Sequence, residues 1–338
     1  MPRILVTGGF GFIGTHLVEA LVEKPENQVH VVDNLSTSPI ELDSFLDSLG
    51  RPANLSWDIT SVEHYHDSLA KSGGSERIDQ IYHLASAVGP VGILTHAGKL
   101  APQIINDTIR IIRLALRTGA KVVDMSTSEI YGGGRDGYCS ENDFKIVPPQ
   151  VTVRLEYAVG KLAAEISLVN TTKVTPLHAT IVRPFNVAGP RQSGRGGFVL
   201  PRFITQALAN QPLTVYGDGS MIRAFTHVKD IVRGTLLVME KGRNGEAYNL
   251  GNPANKTSIL DLAERVVRVT NSSSKISFVN PKELFGPLFE EANDKYPDAD
   301  RAINELEWHP QHGLDETIRH TAEHVRSSQL ASTAHFEG

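Results

Sequence analysis

The chain has 338 residues, 40% of them hydrophobic and 21% charged, with a formal net charge of -5, an ordinary globular balance with room for a large core. No basic block is present, which argues against nucleic acid as a partner, because phosphate-backbone binding needs clustered Lys and Arg. The sole cysteine, Cys139, excludes an intrachain disulfide, and no apolar run approaches the ~18 residues of a membrane span, so the expectation is a cytoplasmic protein with no membrane partner.

In chain order, short apolar runs at 4–7, 29–33, 80–85, 121–126 and 178–183 predict strands. Amphipathic stretches at 15–23, 103–117 and 157–169 predict the helices between them. In the second of these, Ile105, Ile109 and Ile112 recur at helical spacing and Gly119 follows as a stop. Such alternation predicts an α/β fold, a Rossmann-like doubly wound parallel sheet covered on both faces. The second half carries turns at 194–197 and 217–219 and helical patterns at 199–210, 231–240, 258–269 and 314–327. Residues 331–338 read as a frayed tail. No Pro- or Ser-rich linker separates the halves, so the lobes should interleave. The expected division is a dinucleotide domain at 1–185, rejoined by 227–250, and a smaller C-terminal lobe formed by 186–226 and 251–330.

The first predicted strand runs into Gly8, Gly11 and Gly14, and then a helix begins. Such glycines permit a tight turn and let backbone N–H groups approach a pyrophosphate at the helix N-terminus. By itself this spacing could mark only a turn. Asp33 ends the next strand about 20 residues on, where a carboxylate binds ribose hydroxyls. It would repel a 2′-phosphate, which favours NAD over NADP as cofactor.

Tyr157 and Lys161 lie four apart on one helix face. A nearby ammonium and an oxidised nicotinamide would both favour the phenolate and make Tyr157 a general base. A Tyr-x-x-x-Lys pair alone is equally compatible with an exposed Tyr and a solvated Lys.

Taken together, Gly8–Gly14, Asp33, Tyr82-His-Leu-Ala85, Ser126-Thr-Ser-Glu-Ile-Tyr-Gly132 and Tyr157/Lys161 resemble the extended short-chain dehydrogenases. Arg183-Pro-Phe-Asn186, Gly189-Pro-Arg191, Pro212–Gly217, Arg223-Ala-Phe-Thr226 and Trp308-His-Pro310 extend the likeness from residue 3 to about 325. The resemblance implies a nucleotide-sugar substrate, with Thr127, Glu129, Tyr157 and Lys161 as catalytic residues. NAD would be held by Gly8, Gly11, Phe12, Ile13, Gly14, Asp33, Asn34, Asp58, Ile59, Leu84, Ala85, Ser86, Tyr157, Lys161 and Pro184. Ser128, Arg154, Asn186, Arg191, Tyr216, Arg223 and Lys295 would hold the substrate, with Phe185 also near the nicotinamide or the diphosphate. A homodimer through the helices at 103–117 and 157–169 is implied as well.

Within the family, Ser126-Thr-Ser-Glu-Ile-Tyr-Gly132 and Arg154, three residues before Tyr157, resemble UDP-glucuronate decarboxylases, which make UDP-xylose. The alternatives are a UDP-sugar 4-epimerase, then a sugar 4,6-dehydratase, and, in a different class, a catalytically silent NAD-binding relative. The chain departs from the decarboxylase pattern at Lys295-Tyr-Pro-Asp298, where Arg-Lys-Pro-Asp is expected. It departs again at Ile104, where Asn is expected, and along 87–94. His64 and His66, at i and i+2, point apart on a helix and give no metal site. Cys139 lacks an activating motif, and Ser126 lacks a hydrolase elbow.

Overall fold

The computed structural model describes residues 1–71, 77–89, 92–132, 136–145, 147, 151–194, 197–286 and 294–334. Seven parallel strands form the central sheet: β1 (Arg3–Thr7), β2 (Gln28–Asp33), β3 (Leu55–Ile59), β4 (Gln80–His83), β5 (Lys121–Met125), then His178–Pro184 and Ala247–Leu250. Their order across the sheet is β3-β2-β1-β4-β5, followed by the 178–184 strand and the 247–250 strand. The order reverses between β1 and β4, so a cleft opens at the carboxyl ends of these strands, the usual place for a dinucleotide. The strand at 247–250 pairs with 178–184 from Ala247↔Ile181 to Leu250↔Pro184, so the chain leaves this sheet after 184 and returns to it.

β1 is buried from Ile4 to Thr7, the continuous pattern of a strand covered on both faces. One face packs Ile4, Val6, Val31, Val123 and Val182 under α1 (Phe12–Val22) and the helix Val228–Lys241. The other packs Leu5, Ile81, Val122 and Ile181 under α3 (Val62–Lys71), α4 (Leu100–Thr118) and α5 (Val153–Val174). As expected, α4 stops at Gly119, which takes φ +77° and returns its N–H to the Ala115 carbonyl in a left-handed cap.

Among the elements that differ from the sequence expectation are β3, α5 and the last helix. β3 escapes an apolar search because only Leu55 of its five residues is buried; it is an edge strand, and α2 (Leu42–Ser48) precedes it. α5 starts at Val153, four residues before the expected start. Thr152 caps it by accepting the Leu155 N–H at 3.2 Å, so Arg154 shares the helix of Tyr157 and Lys161. The last helix, Leu314–Ala334, continues through residues expected to fray, while 335–338 lie outside the described residues. Of the expected turn at 194–197, residues 195 and 196 also lie outside them.

The smaller lobe has its own core, built from Leu200, Phe203, Ile204, Leu213, Val215, Leu262, Val266 and Ile318. It is laced by short strand pairs: Leu213–Tyr216 with Ile276–Val279, and Ile222–Ala224 with Lys256–Ser258. No helix among the described residues is long and apolar enough to cross a membrane.

Candidate active site

The turn between β1 and α1 is shaped by what a side chain would strike. A Cβ on Gly14 would lie 2.1 Å from the Gly8 carbonyl oxygen and 2.7 Å from Gly9 Cα. Gly8 itself takes φ +72°, and a Cβ there would lie 2.7 Å from the Ala85 nitrogen. Gly11, Phe12 and Ile13 are half-buried at the start of α1, where the first helical N–H groups have no partner within the helix. Asp33 at the end of β2 accepts the Phe10 N–H at 2.9 Å and the Leu35 N–H at 2.7 Å. Burial pushes its carboxyl above the ordinary range, against those backbone hydrogen bonds.

The other expected cofactor residues also stand at carboxyl ends of strands. Asn34 follows β2 and turns on itself, taking the Ser36 N–H at 3.0 Å. Asp58 and Ile59 end β3 and are exposed, with Asp58 3.2 Å from His30 Nε2. Leu84, Ala85 and Ser86 follow β4, and Leu84 N–H reaches the Thr7 carbonyl at 2.9 Å. Pro184 ends the 178–184 strand. A narrow glycine turn, a helix start with free N–H groups and a carboxylate at the second strand end fit a dinucleotide whose ribose carries no 2′-phosphate.

Beyond the turn lies the second half of the site. Thr127 takes the Glu129 N–H at 3.1 Å and opens the short 3₁₀ helix Ser128–Tyr131. Tyr157, buried on α5, is hydrogen-bonded to Thr127, and Lys161 donates to the Met125 carbonyl at 2.8 Å. Burial raises the Tyr157 pKa; the Thr127 hydrogen bond pulls it down, while the Glu129 and Asp124 charges add to the rise. In this structure Lys161 is spent on a backbone carbonyl, and burial dominates. Burial also lowers the Lys161 pKa, against the charges of Asp124, Glu165 and Asp107.

Glu129 joins two expected substrate residues. Its Oε1 lies 2.6 Å from Lys295 Nζ and its Oε2 lies 2.8 Å from Arg154 Nη1. Burial opposes its charge, but Lys295 and then Arg154 override it and hold the carboxyl well below the usual carboxylate range. Lys295 is 1% exposed; burial lowers its pKa, Glu129 raises it, and Arg154 and Arg223 lower it further. Arg223, also buried, bridges by backbone to Lys295, and Ser128 is buried alongside.

Other expected substrate residues stand elsewhere. Arg191 makes a bidentate ion pair with Glu19 of α1, at 3.0 and 3.1 Å, and covers the Phe45 ring, so it is not gathered with Lys295 and Arg154. Tyr216 lies under Arg202, 3.7 Å from ring centroid to guanidinium carbon. Asn186, at φ +35°, reaches the Ala224 carbonyl at 3.3 Å. Phe185 is fully buried and stacked on Tyr131, behind the site rather than in its cleft.

That backing is what motif reading missed. Arg183 forms a buried bidentate pair with Glu165 at 3.1 and 2.6 Å and donates to Tyr131 Oη at 2.9 Å. Tyr131 donates to Asn249 Oδ1 at 2.7 Å, tying the Thr127–Tyr131 turn to α5 and to the 178–184 and 247–250 strands. Both Arg183 and Tyr131 stand inside motifs quoted above, but sequence gives their identity and not their pairing.

Three histidines also converge away from the cleft: His227, His312 and His320. Nδ1 of His227 accepts the Lys229 N–H at 3.1 Å, and its Nε2 faces His320 Nδ1 at 3.3 Å. The His227 and His312 rings stack at 4.1 Å and 16°. Nearly parallel rings aim their in-plane lone pairs side by side, so the cluster reads as a hydrogen-bonded stack rather than a ligand set. The Cys139 thiol is buried and pushed up to about 11 by that burial, the state of an unreactive thiol.

A dinucleotide cleft beside a buried Thr–Tyr–Lys cluster defines a short-chain dehydrogenase of the extended class. The chain belongs to the NAD dependent epimerase/dehydratase family, whose profile matches residues 4–251. It is 34% identical over 322 residues to UDP-N-acetyl-alpha-D-glucosaminuronate decarboxylase of Bacillus cytotoxicus, covering 94% of this chain and 97% of that one. It is 33% identical over 320 residues to UDP-glucuronic acid decarboxylase 1 of Arabidopsis thaliana, covering 94% of this chain and 68% of that protein. Among solved structures it resembles UDP-glucuronic acid 4-epimerase of Bacillus cereus in complex with UDP-glucuronic acid and NAD, with TM-score 0.81, 27% identity and coverage of 96% and 99%.

Proposed function

We propose that this protein decarboxylates a UDP-linked uronic acid, with UDP-glucuronate to UDP-xylose as the leading reaction. The observation that carries the reading is the Glu129 carboxylate held between Lys295 and Arg154, two residues past Thr127. A uronate brings a carboxylate that a neutral hexose lacks, and these cations suit it. The relatives named as uronate decarboxylases support the same reading.

Gly8, Gly11, Phe12, Ile13, Gly14, Asp33, Leu84, Ala85 and Lys161 would hold NAD, which supplies an acceptor for the hydride at C4 of the sugar and later gives it back. Thr127 orients the 4-hydroxyl, and Tyr157 takes its proton as general base. The resulting 4-ketone is β to the C5 carboxylate. The C5–C6 electrons flow into that ketone as carbon dioxide leaves, so no metal is needed, and the enolate formed takes up a proton from solvent water at C5, which restores the 4-ketone. Two roles are chemically available to Glu129: orienting the carboxylate, or handling that proton. Its two ion pairs favour the first. A carboxyl held far below the usual range is ionised at neutral pH and is a weak base. Glu129 therefore fixes Lys295 and Arg154, and they place the substrate acid group. Tyr157 finally returns its proton to O4.

The second reading is a 4-epimerase acting on the same uronate, favoured by the likeness to the Bacillus cereus enzyme; a 4,6-dehydratase stands third. The test is incubation with UDP-glucuronate and with UDP-N-acetylglucosaminuronate, assaying carbon dioxide, the decarboxylated sugars and UDP-galacturonate. Carbon dioxide is expected. UDP-galacturonate without carbon dioxide would give first place to the epimerase.

Three further readings go with this one. The exposed Val159 and Ile166, seven apart on α5, and Leu116 of α4 supply an apolar face for a homodimer. The free, buried Cys139 fits a reducing cytoplasm. The division into a cofactor domain (1–185 with 227–250) and a substrate lobe (186–226 with 251–330) fits a cleft between them.

A further inference from the structure

Outside the cleft, the helix Val228–Lys241 is capped by an imidazole rather than by the usual Ser, Thr, Asp or Asn. His227 precedes the helix, is 0% exposed, and accepts the Lys229 N–H on Nδ1 at 3.1 Å. A backbone N–H can only donate, so Nδ1 of His227 carries no proton. The imidazole is then neutral and holds its proton on Nε2. That nitrogen faces Nδ1 of His320 at 3.3 Å. His320 is thereby the acceptor, and its own proton stands on Nε2, 3.8 Å from Glu316 Oε1. One backbone hydrogen bond thus fixes the tautomers of two rings in series.

The two rings join separate cores. Helix 228–241 packs Ile231 and Val232 into the core of the large sheet, while the last helix packs Ile318 into the core of the small lobe. His227 also pairs in register with Ala188, where the chain has just left the large sheet. Charged and titratable groups approach from each element packed there. Helix 228–241 supplies Lys229, Asp230 and Arg233; Asp230 pairs with Arg233 and meets His312 Nδ1 at 3.0 Å. The segment before the last helix supplies His312, whose ring stacks on His227. The last helix supplies Glu316, His320 and His324. From α1 come His16 and Glu19, the latter paired with Arg191.

We propose that His227 and His320 form a proton-sensitive clasp between helix 228–241 and the last helix, closed while both imidazoles are neutral and released in mild acid. A second proton on either ring sets N–H against N–H, at Lys229 for His227 and between the two rings for His320. Burial drives the His227 imidazole down to about 3, and His312 and His320 add to the fall. Once the clasp opens, the ring takes a proton in the ordinary range near about 6.5. The closed form therefore keeps its full stability above about 6.5 and loses up to about tenfold per pH unit below it for each proton taken.

The experiment is amide hydrogen exchange of the NAD-bound full chain, each rate divided by the intrinsic rate at the same pH. No sugar enters it, so the result is independent of the substrate reading. Protection at the Lys229 N–H and along the last helix should be about tenfold lower at about pH 5.5 than at about pH 7.5, the ratio for one group that titrates near about 6.5 only when open. His227→Asn keeps an oxygen acceptor at the cap and removes the titrating ring, and the drop at both places should be largely lost. An equal drop in both proteins, or no drop in the unmutated one, overturns the proposal. If the variant does not fold, the ring nitrogens of the unmutated protein decide, read from long-range proton–nitrogen spectra at neutral pH. They should show His227 with a single proton, on Nε2. A His227 ring protonated on Nδ1 in the folded protein overturns the clasp whatever the variant does.

Discussion

Lys295→Met isolates the Glu129 clamp, because methionine is close to lysine in length and carries no charge. Lys295 is 1% exposed and its ammonium lies 2.6 Å from Glu129. Removing one partner of a buried pair costs about 3–5 kcal/mol. Here Glu129 keeps Arg154 at 2.8 Å and its side chain is 23% exposed, so part of that loss is recovered and about 2 kcal/mol is the expected cost at pH 7. The sign of the pH dependence follows from Glu129. Its folded pKa is depressed, so its stabilisation is present above the ordinary carboxylate range and fades as pH falls through the depressed value. The difference between Lys295→Met and the unmutated protein should therefore be full at pH 7 and smaller at pH 3. Urea unfolding of both proteins at the two pH values measures it. A cost under about 0.5 kcal/mol at pH 7, the range of an ordinary surface substitution, or an equal cost at both pH values, would refute the coupling.

Gly14→Ala puts a methyl 2.1 Å from a backbone oxygen, so α1 must back away from the turn; about 1–3 kcal/mol of stability and much of the NAD affinity should go, and unchanged calorimetric binding would falsify that. Tyr157→Phe keeps the ring and removes the phenol, and turnover should fall by about 10²–10⁴-fold; near-full activity would point to a different base. The unmutated protein should prefer NAD to NADP, and Asp33→Ala should narrow that preference while weakening both, because Asp33 also holds Phe10 and Leu35 by their N–H groups. Equal binding of the two cofactors before mutation would sink the ribose assignment.

The strands legible in the sequence were those buried on both faces. Ile4-Leu5-Val6 and Val122-Val123 read as unbroken apolar runs because each residue meets a helix layer above or below. β3 hides because it sits at the sheet edge with Trp57 and Ile59 exposed. The strand at 247–250 hides for the opposite reason. It is fully buried, but it is four residues long and includes Asn249, whose amide is spent on the Cys139 and Asp298 carbonyls. Period and propensity see neither case, since both are decided by what the rest of the chain places alongside.

The site divides along the same line. Glycines 8, 11 and 14, Asp33, Tyr157 and Lys161 follow from local spacing, because one turn or one helix positions each group, whereas Thr127 follows from the resemblance of its motif. The Glu129 clamp depends on Lys295, 166 residues away along the chain, and no local pattern could pair them. Lys295 stands where the resemblance expects Arg, and the structure gives that departure a meaning. A guanidinium would offer a fork to two oxygens. The ammonium is a compact point charge, buried against a single oxygen of Glu129, while Arg154 takes the other. The two cations thus divide one carboxylate between them, as a single Arg fork would otherwise do alone. An arginine introduced at 295 would have to fit a larger head into a site already closed to solvent, and would compete with Arg154 for the same carboxylate.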